Sequence, residues 1–80
     1  MWYVYILEAQ NGHFYTGITN NVDRRMKAHA QGRGAQFTRI FGFKQLLYQE
    51  PCAGRSEALK REAQIKRWPR QKKKELCESI

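Results

Sequence analysis

Acidic residues are scarce in this chain, with 7 Asp and Glu against 15 Lys and Arg and a formal charge of +8. No Asp-x-Asp or similar cluster occurs, which disfavours a two-metal centre, because such a centre needs several converging acids. Cysteine is just as sparse. Cys52 and Cys77 stand alone, and with only 2 histidines the chain lacks the ligand spacing of a zinc site. Without a secretion signal, two isolated cysteines read as reduced thiols, and neither is assigned a function. No apolar run approaches the ~20 residues of a membrane span. The N-terminus also lacks the basic segment and long apolar core of a signal peptide. These absences point to a cytoplasmic protein without membrane association.

What the chain does hold is enough for one domain, residues 1–80. Its apolar content of 41%, with 12% aromatic, suits a globular fold and is too high for disorder. A domain of this size buries roughly 60% of its unfolded surface. The excess of cations favours a polyanionic partner, most simply nucleic acid. Charge alone is equally compatible with a basic protein that has no such partner.

Two β-prone segments open the chain, Trp2 to Leu7 and His13 to Thr19, with Gln10-Asn11-Gly12 between them. Asn-Gly between two such runs is a strong hairpin signal. A two-residue turn would place Tyr5 and Tyr15 on opposite faces. A three-residue loop, with Gly12 left-handed, pairs Ala9 with His13, Leu7 with Tyr15 and Tyr5 with Gly17. Tyr3, Tyr5 and Tyr15 then share one side. The three-residue loop is the reading adopted.

Asn20 or Asn21 caps a helix from about Val22 to Gln31, which Gly32 ends. Val22, Met26 and Ala30 define its buried side, with Arg25 and His29 within or beside that arc and Arg24 and Lys27 projecting away. A basic, glycine-rich connection follows, with a short helical turn at Ala35–Thr38. Phe43 to Gln49 reads as a third strand that Pro51 ends, with Leu46 and Tyr48 on one face and Leu47 on the other. Ser56 caps the next helix, whose apolar arc holds Ala58, Leu59, Ala63 and Ile65. Pro69 starts a last short helix to about Cys77. The expected fold class is α+β: a three-stranded antiparallel sheet flanked by helices.

Arg25 and Glu62 share an oddity, since each is ionisable, mid-helix and directed toward the side that should be buried. An unpaired charge there costs several kcal/mol. Pairing with each other, snorkelling at the sheet edge and a functional role all fit the pattern.

Tyr3-Val4-Tyr5 followed by Tyr15-Thr16-Gly17 resembles the paired motif of the GIY-YIG nuclease superfamily, with Tyr in place of the first Gly. Gly17-Ile18-Thr19, Arg24-Arg25, the run Gly34 to Arg39 and the run Ser56 to Glu62 extend the likeness. Within that superfamily the chain is most similar to the small stand-alone bacterial proteins of the UPF0213 group. The resemblance implies catalytic roles for Tyr5, Tyr15 and Arg25, with His29, one turn beyond Arg25, assisting. It implies that Glu62 ligates one divalent metal ion, Mg2+ or Mn2+. Glu62 and the ion would stabilise charge on the leaving oxygen, Arg25 would clamp the scissile phosphate and Tyr5 would take a proton from the attacking water. A phenol with a pKa near ~10 is a poor base at neutral pH, so neighbouring cations would have to lower it.

For nucleic-acid contact, Arg33, Arg39, Lys66, Arg67, Arg70 and Lys72 supply clustered cations. Gly17 and Gly34 read as sites of close backbone approach. Better-studied superfamily members carry an Asn downstream of the metal-binding Glu, whereas this chain has none after Asn21. The first reading is therefore a metal-dependent nuclease acting on DNA or another nucleic acid. A catalytically weak nucleic-acid-binding module on the same fold is the alternative, and a basic protein-interaction domain a remoter one.

Overall fold

Trp2 to Leu7 is apolar at successive rather than alternate positions, as expected of a strand covered on both faces. A computed structural model, which describes residues 1–79, places that strand at the centre of its sheet. The elements run β1 (Trp2–Ala9), β2 (Phe14–Thr19), α1 (Val22–Ala30), α2 (Gln36–Phe41), β3 (Phe43–Cys52), α3 (Arg55–Lys66) and α4 (Arg70–Cys77). The three strands form one antiparallel sheet in the order β2-β1-β3, as expected. Val4, Tyr5, Ile6, Leu7 and Ala9 are all buried.

The hairpin closes through the three-residue loop. Gly12 has φ 86°, and the Ala9 N–H donates to the His13 carbonyl at 2.8 Å. Leu7 consequently pairs with Tyr15 and Tyr5 with Gly17. Odd-numbered β1 residues face α1 and α2. Even-numbered ones, Val4 and Ile6, pack with Ile65, Trp68, Leu76 and Cys77 of the α3–α4 side.

Asn21 caps α1, its side-chain oxygen accepting from the Arg24 N–H at 3.0 Å. The buried stripe of α1 differs from expectation: Val22 and His29 are buried, Met26 is half-buried and Ala30 is exposed. Residues seven apart on a helix lie almost in line, whereas those eight apart have rotated well past the stripe. The same correction applies to α3. Ala58 and Ile65 are buried and Arg61 and Glu62 half-buried, while Leu59 and Ala63 are exposed. That helix begins at Arg55 with Gly54 as its cap, so Ser56 lies inside the first turn instead of capping it.

β3 also departs from the expected strand. It runs through Pro51 to Cys52, which an edge strand tolerates because a missing N–H can face solvent. A register shift opposite Ile6 and Leu7 pairs Leu46 with Leu7 and Tyr48 with Ile6. Paired residues share a face, so Leu46 and Tyr48 lie on opposite faces, not on the same one. The helical turn expected at Ala35–Thr38 is the longer α2. On the α3 side, Glu50 ties β3 to the helix, accepting from the Tyr48 hydroxyl at 2.6 Å and from Arg61 Nε at 3.0 Å. Among the described residues, no helix is long and apolar enough to cross a membrane.

Candidate active site

The β1–β2 register sets Tyr5 across from Gly17, and the absent side chain there makes room for the phenol. A Cβ at Gly17 would lie 2.6 Å from Tyr5 Oη. Tyr15 stands on the same face, its ring centroid 6.4 Å from that of Tyr5. From α1, His29 approaches both rings edge-on at 5.7 Å. Its Nε2 lies 2.8 Å from Tyr5 Oη and its Nδ1 lies 2.7 Å from Thr38 Oγ1 on α2. Gly34 closes the other side of the ring, where a Cβ would come within 2.5 Å of it. His29 is 1% exposed and Tyr5 2% exposed.

That burial decides the protonation states. It pushes the Tyr5 hydroxyl well above the ordinary phenol value, the Tyr15 charge adding to the rise and the Arg25 charge opposing it less strongly. The cations around Tyr5 therefore do not lower it as the sequence reading requires. Burial likewise holds His29 down at about 4, with the Arg25 charge second. At neutral pH both groups are uncharged.

Arg25 and Glu62 flank this pair without meeting each other. Arg25 Nη1 donates to the Gly34 carbonyl at 3.2 Å. Glu62 Oε2 instead pairs with Lys66 Nζ at 3.3 Å, one turn along α3. The Lys66 ammonium also lies 6.0 Å from the centroid of the Tyr15 ring. Mutual neutralisation of Arg25 and Glu62, one of the sequence alternatives, does not occur.

Among the described residues no three His, Cys, Asp or Glu side chains converge on a metal-sized site. Glu62 offers one carboxylate, its side chain 19% exposed. A single hard oxygen donor beside solvent fits a magnesium-like ion that keeps most of its waters. It does not fit zinc, which takes several nitrogen or sulfur ligands.

The basic residues differ in placement. Arg33 lines a groove of about 530 Å³ together with Arg24, Arg25 and Lys27. Arg33 and Arg39 line an adjoining depression of about 650 Å³. Arg24 and Lys27 thus share the groove of Arg25, a placement the helix projection missed. Arg67 is exposed at the end of α3. Arg70 is committed elsewhere, its Nη1 donating to the Gly12 carbonyl at 2.8 Å and its guanidinium 4.2 Å from the Phe14 ring centroid. Lys72 sits over the Trp68 ring at 4.4 Å. Thr38 has no signal in the sequence beyond its place in the run Gly34 to Arg39, because α2 is too short to show a period.

Known proteins share this chain's sequence pattern and fold. A family model described as the GIY-YIG catalytic domain matches residues 1–75. A UPF0213 protein of Staphylococcus saprophyticus is 45% identical over 74 residues, which cover 92% of this chain and 90% of that one. One from Xanthomonas axonopodis is 42% identical over 90% of this chain and 71% of its own. Among solved structures, the solution NMR structure of a UPF0213 protein from Bacillus halodurans superposes with a TM-score of 0.59 at 44% identity. It covers 95% of this chain and 82% of that one.

Proposed function

The chain belongs to the GIY-YIG domain family, a family of nucleases, and on that premise we propose that it is a divalent-metal-dependent endonuclease hydrolysing phosphodiester bonds in nucleic acid, DNA foremost, in the cytoplasm. The observation that carries this reading is the buried Tyr5–His29 pair at 2.8 Å, flanked by Arg25 and Glu62.

A free phenolate at Tyr5 is disfavoured by burial, so the hydroxyl acts as a relay. As the attacking water forms its bond to phosphorus, its proton passes to Tyr5 Oη, and the phenol's own proton passes to His29 Nε2. No charge then builds on Tyr5. Arg25 holds the scissile phosphate through its planar donors. Bound phosphate offsets the Arg25 charge that helps hold His29 down, which raises the basicity of the imidazole when it is needed. Glu62 would hold one Mg2+ or Mn2+ ion, which supplies stabilisation of the negative charge on the leaving oxygen. Tyr15 orders the face on which these groups converge. Arg33 and Arg39, joined by Arg24 and Lys27, lay a basic track beside Arg25 for neighbouring phosphates. Lys66 and Arg67 extend it on α3, whereas Arg70 and Lys72 are engaged with the hairpin and Trp68.

One observation favours the alternative of a weakly active binding module. Lys66 already neutralises Glu62, so an entering metal ion must displace an ammonium. The test is incubation of the pure protein with branched, single-stranded and double-stranded substrates, with and without magnesium or manganese, alongside melting with and without manganese. Wild type should cut with metal and gain melting temperature from it. Glu62→Gln should lose both effects, and Arg25→Ala should lose cleavage alone. Salt-sensitive binding without cleavage or metal stabilisation in wild type would leave the binding module in its place.

A further inference from the structure

Thr38 sits behind the Tyr5–His29 pair and is 2% exposed. Its Oγ1 is 2.7 Å from His29 Nδ1 and 3.1 Å from the Ala35 carbonyl. A neutral imidazole carries one ring proton, and its position follows from the partner of the other nitrogen. If that proton is on Nε2, it points at Tyr5 Oη. The Tyr5 hydroxyl proton is then buried with no acceptor, because among the described residues Tyr5 Oη has no other hydrogen-bond partner. If it is on Nδ1, every hydrogen is satisfied. Tyr5 donates to Nε2, Nδ1–H donates to Thr38 Oγ1, and the Thr38 hydroxyl donates to the Ala35 carbonyl. The lone pairs of Tyr5 Oη then accept from no protein donor among the described residues.

We propose that Thr38 is a positioning residue that holds His29 in the Nδ1–H tautomer, so that Tyr5 has a proton acceptor in Nε2 and an oxygen that no protein donor occupies. The proposal rests on the nuclease reading for its consequence, since only this tautomer lets Tyr5 take a proton from water while giving one up. Thr38 thereby enters the site without itself touching substrate. Phe43, stacked on His29 at 6.4 Å between centroids, and Gly34 keep the ring from turning away from Thr38.

Nitrogen NMR of histidine-labelled protein tests the tautomer directly, and it reads a property that a merely structural residue would not set. In wild type, His29 Nδ1 should resonate as a protonated nitrogen and Nε2 as a bare one. Thr38→Val removes the hydroxyl at nearly constant shape and should move the ring proton to Nε2. Turnover (kcat) should fall roughly tenfold to a hundredfold with KM little changed, by analogy with loss of the group that orients a metal-ligating histidine. Thr38→Ser should restore both the tautomer and the rate. A wild-type Nε2–H tautomer overturns the proposal, and so does Thr38→Val with unchanged tautomer and kcat. Should Thr38→Val fail to fold, the wild-type spectrum and Thr38→Ser carry the same decision. If wild type cuts no substrate, the nuclease reading fails separately, and the spectra still decide whether Thr38 sets the tautomer.

Discussion

Mild acid should weaken this fold, and His29 is the cause. The imidazole has an ordinary value of 6.5 and is held at about 4 in the folded protein, first by burial and then by the Arg25 charge. Between those values the unfolded chain binds a proton that the folded one refuses, so protons favour unfolding. The stability that His29 confers is whole above pH 6.5 and is lost as the pH falls through about 4. The full difference is worth ~3 kcal/mol, of which ~2 kcal/mol is gone by about pH 5. For a chain of this length, with roughly 4–12 kcal/mol in total, that is a large fraction. Urea unfolding at about pH 7 and about pH 5, for wild type and His29→Gln, measures the effect. Wild type should lose ~2 kcal/mol over that interval and the variant far less. A wild-type stability that is flat over the interval, or an equal fall in His29→Gln, would refute the picture of a neutral, desolvated ring.

Other substitutions probe separate parts of the structure. Thr16 Oγ1 is buried with no hydrogen-bond partner among the described residues. Thr16→Val should therefore leave stability unchanged or raise it by up to ~1 kcal/mol in urea unfolding, and a clear loss would reveal a partner. Gly34→Ala puts a methyl group 2.5 Å from the His29 ring. It should cost ~1–3 kcal/mol and, by shifting His29 off Tyr5, suppress cleavage; a stable and fully active variant would contradict the close approach. Lys66→Ala frees the Glu62 carboxylate, so manganese should raise the melting temperature at lower concentration than in wild type. An unchanged metal dependence would mean that the ammonium does not compete for Glu62.

Some of this protein is legible from a few neighbouring residues. Gln10-Asn11-Gly12 marks the hairpin and narrows its register to two pairings, of which the structure takes the three-residue loop with Gly12 at φ 86°. That register alone places Tyr5, Gly17 and Tyr15 together. Asn21 as a helix cap is equally local, since its side chain satisfies an N–H three residues on. The motif residues Tyr5, Tyr15, Arg25 and Glu62 are visible as identities at given spacings. What they contact is not. The bulge in β3 sends Tyr48 to one face and Leu46 to the other through pairing with a strand more than thirty positions away. His29 rather than Ala30 faces the sheet because α1 docks against particular rings on β1 and β2. The raised Tyr5 and lowered His29 arise from water excluded by β1, β2, α1 and α2 together, and desolvation is a property of the assembled site. Arg25 finds the Gly34 carbonyl and Glu62 finds Lys66, each choosing a partner that only three-dimensional distance could select.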